Sequence, residues 1–66
     1  PPAVVITDFD TDEDLLAVDY YAEDPLEMVY DPDREAVLLQ RAGLSFGILE
    51  GLTEADIPNI TLVEYG

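Results

Sequence analysis

The sequence predicts an α+β fold: one small acidic domain over residues 1–66, with a short antiparallel or mixed sheet of about three to five strands and one or two short helices. Three observations predict it. Apolar residues make up 48% of the chain, above the level of a disordered acidic tail, and turn residues interleave them. β-branched apolar runs occupy residues 3–7 and 59–65. Between them, Pro32 and Gly43 stand where a helix of ordinary length would start and stop.

Taken in order, Ala3, Val4, Val5, Ile6 and Thr7 read as a strand entering an acidic turn at Asp8 and Asp10. Thr11 followed by Asp12, Glu13 and Asp14 reads as a helix N-cap with acids in the first turn, where the helix dipole favours negative charge. The stretch from Thr11 to Glu23 therefore reads as a helix. A strand with Leu16, Val18, Tyr20 and Ala22 on one face competes with it closely. Pro25 ends that element, and residues 26–30 form a short strand. Asp31 as N-cap, Pro32 in the first turn and Gly43 past the end predict a helix from Pro32 to Ala42. The same Asp-Pro-Asp can instead turn a hairpin that joins Met28, Val29 and Tyr30 to residues 36–39.

Leu44, Phe46 and Ile48 alternate with Ser45 and Gly47, so a strand is expected there, with Gly47 marking a bulge or a close backbone approach. Thr53 to Asp56 reads as a single capped turn ended by Pro58. Residues 59–65 close the chain as a strand, Ile60, Leu62 and Glu64 facing one way and Thr61, Val63 and Tyr65 the other. The expected core is Val5, Leu16, Val29, Val37, Leu38, Phe46, Ile48, Ile60 and Leu62, with residues 8–14 exposed.

Charge excludes more than pattern does. Sixteen acids face two arginines, Arg34 and Arg41, with no lysine or histidine, for a formal net charge of −14. Such a surface repels phosphates and anionic membranes, so direct nucleic acid binding and membrane binding are not expected. It attracts basic proteins and loosely bound cations. Residues 1–35 carry twelve of the acids and residues 36–66 carry four. Cysteine is absent, so no disulfide supplements the thin core of so short a chain, and a protein partner or self-association is expected to help. With no apolar run of membrane-span length and no secretory leader pattern, the sequence reads as a soluble chain, cytoplasmic or virion-associated. It opens on Pro1-Pro2 without methionine, which leaves processing open.

No arrangement for catalysis emerges, and no cofactor or metal site is expected. Asp8, Asp10 and Asp12 match the first ligand positions of an EF-hand loop, but Glu13 replaces its turn glycine and Asp19 stands where the terminal bidentate glutamate belongs. A strand running into Asp8-Phe9-Asp10-Thr11 resembles the opening motif of the haloacid dehalogenase phosphatases, which implies a nucleophile at Asp8 and an acid-base group at Asp10. That likeness covers residues 4–11 only, and the chain lacks the glycine after the second aspartate and any lysine to stabilise phosphoryl charge. Without histidine or cysteine there is no triad and no zinc site of the usual ligands.

Two functions remain. The first is a small non-enzymatic structural or accessory subunit from a halophilic or viral source, acting through protein–protein contacts. Its acids hydrate the surface at molar salt, and Tyr20, Tyr21, Tyr30 and Tyr65 offer apolar anchors. The alternative is a DNA-mimic inhibitor, in which Asp8, Asp10, Asp12, Glu13 and Asp14 occupy the basic groove of a nucleic-acid-binding protein. If Asp8, Asp10 and Asp12 lie on one strand face, their charges repeat every ~6.6 Å, a density that competes with phosphates for Lys and Arg.

Overall fold

The computed structural model describes residues 3–20 and 23–66. The expected apolar runs form strands: β1 (Val4–Ile6), β2 (Leu15–Asp19), β3 (Glu27–Asp31), β4 (Ala36–Arg41), β5 (Leu44–Glu50) and β6 (Thr61–Tyr65), with a 3-10 helix (Glu54–Asn59) before β6. They make a mixed four-stranded sheet in the order β1-β5-β4-β3 and a second sheet of β2 and β6. β1 runs parallel to β5 and β2 parallel to β6, while β3, β4 and β5 form an antiparallel meander. The fold is mostly strand and only loosely α+β.

Both predicted helices are corrected. Pro32 to Ala42 is the turn and second strand of the β3–β4 hairpin. The helix signal was real chemistry in another setting: an Asp31 carboxylate oxygen accepts the main-chain N–H of Asp33 at 3.0 Å, the same local bond that an N-cap makes. What decides between them lies further on. Ala36, Val37 and Leu39 are buried and Leu38 is half-buried, so apolar side chains leave both faces of the segment. As a central strand, the segment puts Val37 and Leu39 into the core and sets Leu38 beside Ile48 and Val29 on the opposite face, whereas an isolated short helix would expose half of its apolar side chains. Thr11 to Glu23 likewise holds no helix among its described residues: 11–13 form a turn and Leu15–Asp19 is β2. Tyr21 and Ala22 lie outside the described residues.

The β4–β5 hairpin closes through Ala42 and Gly43, with φ of 52° and 77°. Two positive φ values match the twist that a two-residue loop needs between right-twisted strands. Glycine adopts that conformation freely, but Ala42 does so against its own Cβ.

The core lies between the sheets. Val37 and Leu39 of β4, Leu49 of β5, Leu16 of β2, Leu52 and Ile60 are its buried members, and Ile6, Phe9, Met28, Tyr30 and Leu62 pack around them. Gly47 is buried opposite Leu39, and a Cβ there would sit 2.7 Å from Leu39 Cδ1. The ladder slips at this point: Leu39 pairs Gly47, Gln40 pairs Ser45, and Phe46 is left over as a bulge. Of the two alternatives expected of Gly47, the bulge is present, one residue before it at Phe46, and the close neighbour of Gly47 is the Leu39 side chain. The expected core is revised: Leu16, Val37, Ile48 and Ile60 are buried and Leu38 and Leu62 half-buried, but Val5, Val29 and Phe46 are exposed.

Candidate interaction surfaces

Strand direction sorts the charge. The segments that leave the four-stranded sheet at its β3–β4 turn end are 7–14, 31–36 and 50–56, as the pairings Asp31 with Ala36, Ala36 with Glu50 and Ile6 with Leu49 require. Those segments carry Asp8, Asp10, Asp12, Glu13, Asp14, Asp31, Asp33, Glu35, Glu50, Glu54 and Asp56, eleven of the sixteen acids. Asp19, Glu23, Asp24, Glu27 and Glu64 are the remainder. The chain has an acidic end, and Arg34 is the only cation on those segments.

The expected acidic binding residues all lie in one exposed loop, yet several acids are turned inward to the chain itself. Asp10 accepts the Asp12 N–H on its carboxylate at 2.8 Å, and its carbonyl accepts Asp14 N–H at 2.8 Å. Asp14 Oδ2 in turn accepts the Asp10 N–H at 2.9 Å. Elsewhere at that end, Arg34 Nε lies 3.6 Å from Asp31, and Asp56 accepts the Thr53 N–H at 2.7 Å to start the 3-10 helix. Asp8, Asp10 and Asp12 are therefore loop residues and do not repeat at strand spacing. Among the described residues no group of three or more acidic side chains converges to hold a metal ion. No helix of the described residues is long and apolar enough to cross a membrane.

Opposite the core, the four-stranded sheet presents a second apolar surface. Val5 pairs Ile48, Ile48 pairs Leu38 and Leu38 pairs Val29, so four aliphatic side chains form one row across all four strands. Alternation sends them away from Val37, Leu39 and Leu49. Ile48 and Leu38 are shielded by their neighbours, while Val5 and Val29 at the ends are 50% and 40% exposed. Two residues along each strand on this face come Asp31, Ala36 and Glu50 on one side, and Glu27 and Gln40 on the other, with Ser45 paired to Gln40 across the bulge. A hydrogen bond of 3.0 Å from Gln40 Nε2 to Ser45 Oγ confirms that those two share the face.

The second sheet repeats the pattern on a smaller scale. Its outer face carries Leu15, Ala17, Val63 and Tyr65, all exposed. Beside it, at the end away from most of the acids, an open cleft of about 490 Å³ is lined by Ala17, Val18, Asp19, Arg41, Leu44, Phe46 and Tyr65. The bulge brings Phe46 to the same side as Arg41, whose guanidinium carbon stands 5.6 Å from the ring centre.

The tyrosines separate. Tyr20 and Tyr65 are exposed and adjacent, the Tyr20 N–H donating to the Tyr65 carbonyl at 2.7 Å. Tyr30 packs against the core from β3. Tyr21 lies outside the described residues. The outer row was missed because β4 and β5 are apolar on both faces, so Val5 and Val29 could be assigned to the core as readily as Leu39 and Leu49. Compared with protein-family models, with curated proteins and with solved structures, the chain matches none significantly.

Proposed function

We propose that this chain is a small non-enzymatic structural or accessory subunit that works through protein–protein contacts, with an acidic surface suited to high salt. One observation carries the reading: apolar residues cover the core between the sheets and also the outer face of each sheet. Val4, Val5, Val29, Leu15, Val63, Tyr65, Leu44, Phe46 and Tyr20 are all exposed large hydrophobics on a 66-residue chain. Singly exposed aliphatics are ordinary, but an aliphatic row in strand register across a whole sheet marks a contact surface. The lysine-free composition adds the solvent term, since at molar salt the Debye length of about 3 Å removes most of the repulsion among the acids.

The DNA-mimic reading keeps one supporting observation, the concentration of eleven acids at one end. It lacks the further support that strand spacing of Asp8, Asp10 and Asp12 would give, since these lie in a loop. Affinity isolation from the source, at high and at low salt, separates the two. The expected result is a fixed set of proteins retained by the native chain at high salt and lost by Val29→Glu or Val63→Glu. Retention that survives both substitutions, or that vanishes at high salt and depends on Asp8, Asp12 and Glu13, would overturn the contact reading.

A further inference from the structure

We propose that the outer face of the four-stranded sheet receives a basic amphipathic helix of a partner protein, with apolar residues on the Val29–Leu38–Ile48–Val5 row and Lys or Arg residues over the flanking acids. The inference rests on the contact reading above and adds the place and chemistry of the partner.

Dimensions fit the occupant. Four strands at about 4.8 Å spacing give a row of about 14 Å, close to two and a half turns of an α-helix. An apolar stripe at i, i+3, i+4 and i+7 runs about 10.5 Å along the helix axis, enough to cover three of the four strands. The flanking side chains stand two residues along each strand, about 6.7 Å from the row on either side. A helix is about 10 to 12 Å across with its side chains, so the residues that border its apolar stripe fall over those positions.

Charge chooses the partner. Glu27 flanks the row at β3 on one side, and Glu50 and Asp31 flank it on the other, with Arg34 offsetting Asp31. Of the two cations in the chain, the second, Arg41, lies beyond this face: it bonds the main chain at Asp24 and stands against Phe46. A second copy would set these acids against its own, between two bodies each of formal charge −14, and would depend on salt to screen them. Lysine or arginine on both flanks of an apolar stripe instead meets carboxylates at both sides, which speeds encounter and fixes orientation.

The test uses the full chain and an acetylated, amidated helical peptide with leucine at i, i+3, i+4 and i+7 and lysine on both flanks. Controls are a shuffled peptide of the same composition and a version with glutamate for lysine. Titration calorimetry across a salt series should show one-to-one binding of the first peptide and none of the glutamate version. Val29→Glu should weaken binding at least about tenfold, a loss of about 1.4 kcal/mol. The double substitution Glu27→Gln, Glu50→Gln should weaken it about threefold and flatten its salt dependence, with folding of each variant verified by circular dichroism. Equal binding of the shuffled peptide, or binding indifferent to both sets of substitutions, would show condensation on the acidic end and overturn the proposal. So would sedimentation of the chain as a dimer that Val29→Glu dissociates, which assigns the face to a second copy. A peptide that fails to bind, with isolation from the source still lost on Val29→Glu, overturns the helix as occupant and leaves the contact reading standing.

Discussion

The Arg41 guanidinium, at the end of β4, donates to the main-chain carbonyl of Asp19 at the end of β2 and so ties the two sheets together. Its other terminal nitrogen donates to the Asp24 carbonyl at 2.9 Å, in the connection between β2 and β3. In a chain with sixteen acids, one of the two cations is thus committed to main-chain carbonyls at the junction. The planar fork reaches both at once, which a lysine ammonium does less well. Arg41→Lys should cost about 1 kcal/mol and Arg41→Ala about 2 kcal/mol of unfolding free energy. Urea titration at high salt measures both, and an unchanged midpoint for Arg41→Ala would dismiss the junction.

Gly47 is specified by Leu39. A Cβ at residue 47 would stand 2.7 Å from Leu39 Cδ1 and 3.3 Å from its Cγ, so the buried Leu39 side chain would have to shift to admit it. Gly47→Ala should destabilise by roughly 1 to 3 kcal/mol through overpacking. Combining it with Leu39→Val should recover part of that loss, so the two changes should be less than additive in a double-mutant cycle. Strict additivity would place the cost in the backbone instead.

Ala42 offers the opposite outcome. Its φ of 52° is a left-handed conformation, and it precedes Gly43 in a two-residue hairpin loop. Asn followed by Gly is the preferred pair for such a loop. Ala42→Asn should therefore stabilise the chain by about 0.5 to 1 kcal/mol. Thermal unfolding gives the sign directly, and a lowered midpoint would refute it.

Legibility in the sequence followed locality. β6 was readable to the face of each side chain because Ile60 and Leu62 alternate with Thr61, Val63 and Tyr65, one side covered and one not. Gly47 pointed to the bulge only as one of two alternatives, and the extra residue is its neighbour Phe46. The β3–β4 hairpin was legible only as the alternative to a helix, since an aspartate before proline caps a helix and closes a turn with the same hydrogen bond. The outer row escaped for a different reason: in β4 and β5 both faces are aliphatic, and only the strand order decides which one meets β2 and β6. Leu52 entered the core from a loop, where no periodicity could announce it.

The acidic end is expected to make stability depend on salt, and the structure divides its carboxylates by what removing each should do. Asp10, Asp14, Asp31 and Asp56 bind main-chain N–H groups, so they hold turns as well as carry charge. Glu13 and Glu54 are exposed acids on the same segments and add chiefly to the repulsion. Screening shortens from about 10 Å at 0.1 M to about 3 Å at 1 M salt, so the thermal midpoint should climb steadily over that range. Glu13→Gln with Glu54→Gln should raise the midpoint at low salt and flatten the climb, leaving high-salt stability almost unchanged. Asp10→Ala also removes one charge, but it leaves the Asp12 N–H without its acceptor and should cost about 1 kcal/mol where salt has already removed the repulsion. Melting curves of the three proteins at low and high potassium chloride test the division. Superimposable salt profiles would mean that the eleven acids do not act on one another, and the high-salt adaptation would lose its physical basis.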